Sequence, residues 1–64
     1  MSLGENVKRA RMAKNWSAER LAREVQCSAA TIERLERDEI PGSVLRLAAI
    51  ADAVGLSVDR LLGS

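Results

Sequence analysis

The sequence predicts an all-α domain of five short helices. Four serines follow short breaks in the apolar pattern and stand where a new helical period begins, and a fifth serine opens the chain's first helix. The apolar residues, 47% of the 64-residue chain, are mainly Leu, Ala, Val and Ile, with one Trp and no Phe or Tyr. Side chains of this size suit close contacts between helices. Together with the serine caps and the helical period of the apolar residues, they predict a compact helical bundle.

The first helix is predicted to begin after Ser2, which can form a capping box with Glu5. It continues to about Lys14, and Asn15 suits the left-handed residue that often closes a helix. Trp16 is expected to pack into the core where the chain turns. The residues expected to face inward recur at helical spacing: Leu3, Val7, Ala10 and Met12.

The next two helices are predicted to follow Ser17 and Ser28, the first running to about Val25 and the second ending near Arg37. Their expected inner faces are Leu21, Ala22 and Val25 in helix 2, and Ile32 and Leu35 in helix 3. Only three residues, Gln26-Cys27-Ser28, separate the two patterns. Helices joined so tightly cross steeply, which leaves the other face of helix 3 pointing outward.

The last two helices follow a loop predicted by the turn residues Ile40-Pro41-Gly42. Ser43 is the predicted cap of helix 4, and Gly55 its end; Ser57 is the predicted cap of helix 5. The expected inner residues of helix 4 are Leu47, Ile50, Ala51 and Val54, and helix 5 carries the apolar residues Val58, Leu61 and Leu62.

Length and composition narrow the possible functions. Residues 1–64 suffice for one domain with a modest core. With no histidine and a single cysteine, Cys27, neither an internal disulfide nor a metal site is expected. Cys27 should fill a small apolar space under the turn, and an unpaired thiol is typical of the cytoplasm. No stretch is long and apolar enough for a membrane span.

Catalysis is not expected. The sequence has no nucleophile with an accompanying base, no carboxylate pair at a defined spacing and no glycine-rich phosphate loop. Neither a cofactor nor a small-molecule substrate is therefore predicted. The net charge of +1 says little, although residues 1–24 carry six cationic side chains against three acidic ones, a weak indication of a polyanionic partner.

The stretch "ERLAREVQCSAATIERLERDE" resembles the helix-turn-helix of the phage repressor and Cro family, also called XRE-like. It shares the family's Leu-Ala, tight turn, Ser, Ile and Leu-Glu, and "LAAIADAVGLSVDRLL" resembles the family's closing helices. The resemblance covers nearly the whole chain. It implies a compact five-helix repressor-like domain with its helix-turn-helix unit at about 17–37, and helix 3 in a DNA major groove. It also implies a structural ion pair between Arg11 and Glu36.

Two positions depart from the family pattern. Gln26 and Asp38 stand where the family usually has glycine, at sites that favour a left-handed backbone. A residue other than glycine costs ~1 kcal/mol there, and Asp tolerates the conformation better than Gln. These departures leave the docking angle of helix 3 open, and they also fit an engineered or designed chain on this scaffold.

Four residues on the outer face of helix 3 are the candidates for reading bases: Ala29, Ala30, Glu33 and Arg34. Arg34 can donate two hydrogen bonds to guanine, a contact worth ~1–3 kcal/mol, or it can be a solvated side chain paired with Glu33 or Asp38. The two alanines would let the backbone approach the bases and pack on thymine methyls, or they are simply good helix formers. Glu33 would accept from cytosine or hold Arg34 in place.

The candidates for phosphate contacts are hydroxyl groups near helix N-termini and exposed cations, each of which can also be a plain cap or a solvated charge. They are Ser17, Ser28, Thr31, Ser43, Arg20 and Arg37, with Arg9, Lys14 and Arg46 as further cations.

The sequence thus favours sequence-specific binding of double-stranded DNA, of the transcriptional-regulator type. The expected location is the cytoplasm, as for an intracellular, nucleoid-associated protein of bacterial or phage type. The alternative is a protein-interaction module, antitoxin-like or adaptor, that uses the same face of helix 3; the near-neutral net charge and the acidic residues within 33–39 support it. A stable scaffold without a ligand is a third interpretation. A weak homodimer is a further expectation, because Val58, Leu61 and Leu62 of helix 5 offer apolar surface unless the core needs them all.

Overall fold

Every helix begins at the serine that the sequence predicts as its cap. The computed structural model describes residues 2–63, so Met1 and Ser64 of the expected 1–64 domain lie outside the described residues. The helices are α1 (Leu3–Ala13), α2 (Ala18–Glu24), α3 (Ala29–Glu36), α4 (Val44–Val54) and α5 (Val58–Leu62). Each preceding serine is extended, and its Oγ accepts from the amide three residues on at 3.0–3.2 Å. Each such cap stabilises its helix by about 1 kcal/mol.

The first three helices end in one shared geometry. A residue with left-handed backbone follows each of them, namely Asn15 (φ 59°), Gln26 (φ 58°) and Asp38 (φ 60°). The next amide then donates to the carbonyl five residues back, at 3.2, 2.9 and 2.9 Å respectively, which is the Schellman motif. The left-handed backbone predicted at these three positions is confirmed, although none of them is glycine. Gly55 (φ 76°) ends α4, also as predicted.

All five helices contribute to one core. Its buried members are Val7, Ala10, Leu21, Ala22, Ile32, Leu35, Ile50, Ala51, Val54 and Leu61. Leu47 is also buried, and Leu3, Trp16, Val25, Cys27 and Val58 pack against the cluster while half-exposed. Trp16 therefore lies at the edge of the core rather than inside it.

One of the predicted core residues, Met12, lies on the surface instead, and so does Leu62 of α5, for which the sequence left core and surface open. Met12 is 57% exposed, because five residues of helix turn it to the side of α1 opposite Val7. Leu62 is 55% exposed, whereas its neighbour Leu61 is fully buried. Conversely, Gly4 is buried and was not predicted to be. Among residues 2–63, none of the helices has the length and apolar character that a membrane crossing requires.

Candidate nucleic-acid interface

The turn between α2 and α3 is short and tightly packed. Val25 ends α2, Gln26 takes the left-handed conformation, and the Cys27 amide donates to the carbonyl of Ala22 at 2.9 Å. Ala22 is 3% exposed, and the half-buried Cys27 side chain packs against the core. Small side chains therefore let the two helices approach closely at the turn, and α3 is held at one angle to α2.

Only part of the predicted base-reading set lies on the outer face of α3. An α-helix has about 3.6 residues per turn, which places Ala30 and Arg34 on the side opposite the buried Ile32 and Leu35. Ala30, Arg34 and Glu33 are all exposed. Ala29 differs from the expectation, because its side chain is half-buried and packs against the core. Ala29 is the first residue of α3 and lies at the edge of the outer face of this helix.

The guanidinium of Arg34 has no protein partner within the part of the chain that the structure describes. Within residues 2–63 it makes neither a hydrogen bond nor an ion pair. The alternative in which Glu33 or Asp38 pairs with Arg34 is therefore not found in the described part of the chain. Asp38 accepts instead from the backbone N–H of Gly4, at 3.0 Å. Arg34 thus keeps all its donors available for a ligand.

Glu33 lies on the flank of α3 that faces α1. It lines a shallow cleft of about 190 Å³ together with Lys8, Arg11, Glu36 and Arg37. Its negative charge is close enough to Arg11 to favour that side chain's charged form. Lys8, which was not among the predicted phosphate contacts, places a further cation beside α3. The available signal was its spacing, since Lys8 precedes Arg11 by three residues and so shares its helix face.

Arg11 and Glu36 connect α1 to α3. Arg11 Nε donates to Glu36 Oε2 at 2.7 Å and Nη2 donates to Oε1 at 3.0 Å, while Nη1 donates to the carbonyl of Trp16 at 2.8 Å. The hydrogen bonds to Glu36 raise the pKa of Arg11 above its ordinary value, although burial acts in the opposite direction. One side chain therefore fixes α1 to α3 and to the segment that precedes α2.

The predicted phosphate-binding hydroxyls all lie at helix starts. Ser17 and Ser43 accept from the amides of Arg20 and Arg46, at 3.0 and 3.1 Å. Ser28 Oγ accepts from the Thr31 amide at 3.2 Å and lies 2.9 Å from Thr31 Oγ1. A serine cap uses its oxygen as an acceptor and retains an O–H that can donate to an anion.

The two predicted phosphate-binding arginines are engaged in exposed contacts. Arg20 pairs with Glu24 at 2.9 Å, and its guanidinium carbon lies 4.8 Å from the centre of the Trp16 ring. Arg37 pairs with Glu39 at 3.0 Å. Exposed pairs of this kind contribute about 0–1 kcal/mol, so either arginine can exchange its carboxylate for a stronger anion at little cost.

Comparison with known proteins gives two positive findings. A family model described as a helix-turn-helix domain matches residues 2–62. A crystal structure of the P22 c2 repressor protein in complex with a synthetic operator superposes with a TM-score of 0.92; the two sequences are 27% identical over 98% of this chain and 96% of that one. No curated protein matches the sequence significantly.

Proposed function

The chain belongs to the helix-turn-helix domain family, and from that premise we propose that it binds double-stranded DNA sequence-specifically, as a regulator of the phage repressor type. In this proposal α3 enters the major groove, whose width admits an α-helix. The P22 c2 repressor, which shares the whole fold, is described in complex with an operator. That relationship favours DNA over a protein partner for the exposed face of α3.

The observation that carries the proposal is the outer face of α3 itself. Its first turn exposes the small side chain of Ala30, and one turn later it exposes Arg34, whose guanidinium has no partner among residues 2–63. A small residue lets the helix backbone approach the base edges, and a free guanidinium can donate two parallel hydrogen bonds to guanine O6 and N7. We assign Arg34 the main base contact and Ala30 the contact with a thymine methyl.

The other candidates receive supporting roles. Ala29 contributes to base contacts only from the edge of the face, since it is half-buried. Glu33, beside Arg11, can accept from cytosine N4 on the flank that faces α1. The phosphate contacts are assigned to Ser17, Ser28, Thr31, Ser43, Arg20 and Arg37, which set the register of the domain on the duplex without reading sequence. The proposal assigns binding and no catalysis, and it places the protein in the compartment that holds its DNA.

The test is selection of duplexes from a random library at fixed salt, with the wild-type chain and with Arg34→Ala. The wild type is expected to select one short motif, and Arg34→Ala to lose preference at a single guanine, a loss worth ~1–3 kcal/mol at that position. Arg60→Ala, on α5, is the matched control and should select the wild-type motif. If the wild type retains no duplex at low salt, the DNA-binding proposal is wrong, and a protein partner or a scaffold without a ligand is left as the interpretation of this face.

A further inference from the structure

Asp38 connects the end of α3 to the start of α1. Its Oδ1 accepts from the backbone N–H of Gly4 at 3.0 Å, between residues 34 positions apart in the sequence. Gly4 lies in the first turn of α1, where backbone N–H groups have no partner within the helix. The Asp38 carboxylate therefore satisfies one of these donors, and its charge lies at the positive end of the helix dipole.

The backbone of the same residue closes α3. Asp38 has φ 60°, and its N–H donates to the carbonyl of Leu35 at 3.1 Å. Glycine adopts this conformation with less strain than Asp does. Glycine, however, has no side chain with which to reach Gly4. Asp38 thus has a more strained backbone than glycine would have, but its side chain forms a hydrogen bond with α1 that glycine could not form.

The two helices touch closely at this junction. A Cβ atom added to Gly4 would lie against the carbonyl oxygen of Glu36 and 2.6 Å from that of Leu35. The first turn of α1 therefore rests directly on the last turn of α3. The ion pair between Arg11 and Glu36 holds the same two helices farther along α1. With the Asp38 hydrogen bond, α3 is fixed to α1 at two separate points near its C-terminal end.

We propose that Asp38 is a positioning residue whose carboxylate sets the angle between α3 and α1. The inference rests on the proposed function, in which α3 reads bases. Base contacts depend on hydrogen bonds of about 2.7–3.2 Å with restricted angles, so a small rotation of α3 changes what Arg34 can reach. Nonspecific attraction to phosphates depends far less on such geometry. Loss of the Asp38 contact should therefore lower discrimination between duplexes more than it lowers general affinity for DNA.

The experiment compares Asp38→Gly, which removes the contact, with Asp38→Asn, which keeps an acceptor oxygen and tolerates the left-handed backbone. Gln26→Gly is the matched control, because it relieves the same backbone conformation at the end of α2. The Gln26 side chain makes no hydrogen bond within residues 2–63, so the change removes none there. Three quantities are measured at a temperature where circular dichroism shows each variant folded. They are hydrogen exchange of the Gly4 amide, the α1–α3 angle from residual dipolar couplings of the free protein, and the affinity ratio between the selected motif and a random duplex.

Asp38→Gly is expected to speed exchange of the Gly4 amide, to change the helix angle and to lower the affinity ratio by about fivefold or more, with affinity for the random duplex unchanged. Asp38→Asn should match the wild type in all three quantities, and Gln26→Gly should match it in helix angle and affinity ratio without faster exchange of the Gly4 amide. An unchanged angle in Asp38→Gly overturns the inference, and so does lower stability with an unchanged affinity ratio. If the wild type prefers no duplex, the proposed function fails, and the helix angle in the free protein alone decides the role of Asp38.

Discussion

Arg11 and Glu36 are joined by two hydrogen bonds, of 2.7 and 3.0 Å, and their side chains are only 13% and 7% exposed. An ion pair so far removed from water is costly to break from one side, because the remaining charge keeps its desolvation penalty and loses its partner. The pair also spans two helices, one of which carries the proposed base-reading face. Its removal should therefore affect the whole fold rather than a single contact.

The first prediction concerns this pair. Glu36→Ala is expected to lower the free energy of unfolding by about 3 kcal/mol, measured by urea denaturation and circular dichroism. Glu24→Ala, which breaks the exposed pair with Arg20, is the control and should cost about 0–1 kcal/mol. The pKa of Arg11 is raised in the folded protein, so its charged side chain contributes to the stability of the fold at every pH below the ordinary pKa of arginine. That contribution is lost only as the pH rises through the raised pKa. No loss from Arg11 is therefore expected between neutral and mildly alkaline pH. Equal costs for the two variants would contradict the prediction.

The second prediction separates two glycines that are needed for different reasons. Gly4→Ala should lower stability by at least about 2 kcal/mol, because the new methyl group meets the backbone carbonyls of Glu36 and Leu35. Gly55→Ala should cost about 1 kcal/mol, because the site is open and only the left-handed backbone opposes the change. Thermal unfolding of both variants gives the order. A smaller cost at Gly4 than at Gly55 would show that α1 does not rest on α3 as described.

The sequence was sufficient where structure is decided locally. A serine cap and the amide it satisfies are three residues apart, and the hydrogen bonds that close a helix around a left-handed residue span three and five positions, so both are visible in short stretches of sequence. Met12 was predicted wrongly even though the helical period of 3.6 residues already turns it to the side of α1 opposite Val7. The contact between Asp38 and Gly4 joins residues 34 positions apart, and only the packing of α3 on α1 reveals it.

The residues of the proposed DNA-binding site could likewise be predicted only in part from the sequence. The sequence placed Ala30 and Arg34 on the outer face of α3 through the helical period set by Ile32 and Leu35. It did not show that Ala29 turns toward the core, or that Lys8 lies beside α3. Both depend on where α1 and α2 lie around α3. The helical period of the apolar residues thus predicts which residues of α3 face outward. Which residues of α1 and α2 lie beside that face can be learned only from the tertiary structure.

The third prediction concerns Gln26, whose φ of 58° is of a kind that glycine adopts more easily. Gln26→Gly is expected to raise the free energy of unfolding by about 0.5–1 kcal/mol, because it relieves the strained backbone. Within residues 2–63 the Gln26 side chain makes no hydrogen bond that the change would remove. Gln26→Ala, which keeps a Cβ, should give no gain. Chemical denaturation of the three proteins provides the comparison, and a loss of stability in the glycine variant would contradict it.

The fourth prediction tests Arg37 as a phosphate contact. Arg37→Ala should leave the selected motif unchanged and reduce the slope of log affinity against log salt concentration by about 1, the effect of losing one phosphate contact. Arg60→Ala removes the same charge from α5 and should leave the slope as it is in the wild type. Fluorescence anisotropy over a salt series measures both. An unchanged slope for Arg37→Ala would assign this side chain to its pair with Glu39 and not to DNA.

The fifth prediction concerns the small side chain in the first turn of α3. Ala30→Leu should change stability by less than about 0.5 kcal/mol, because the residue is exposed and leucine is also a good helix former. The larger side chain should nevertheless hold the backbone of α3 away from the base edges and lower affinity for the selected motif by at least about tenfold. Ala48→Leu makes the same change at an exposed position of α4 and controls for added apolar surface. If both variants bind the motif as the wild type does, the first turn of α3 does not approach the bases, and the assignment of Ala30 to a thymine methyl is wrong.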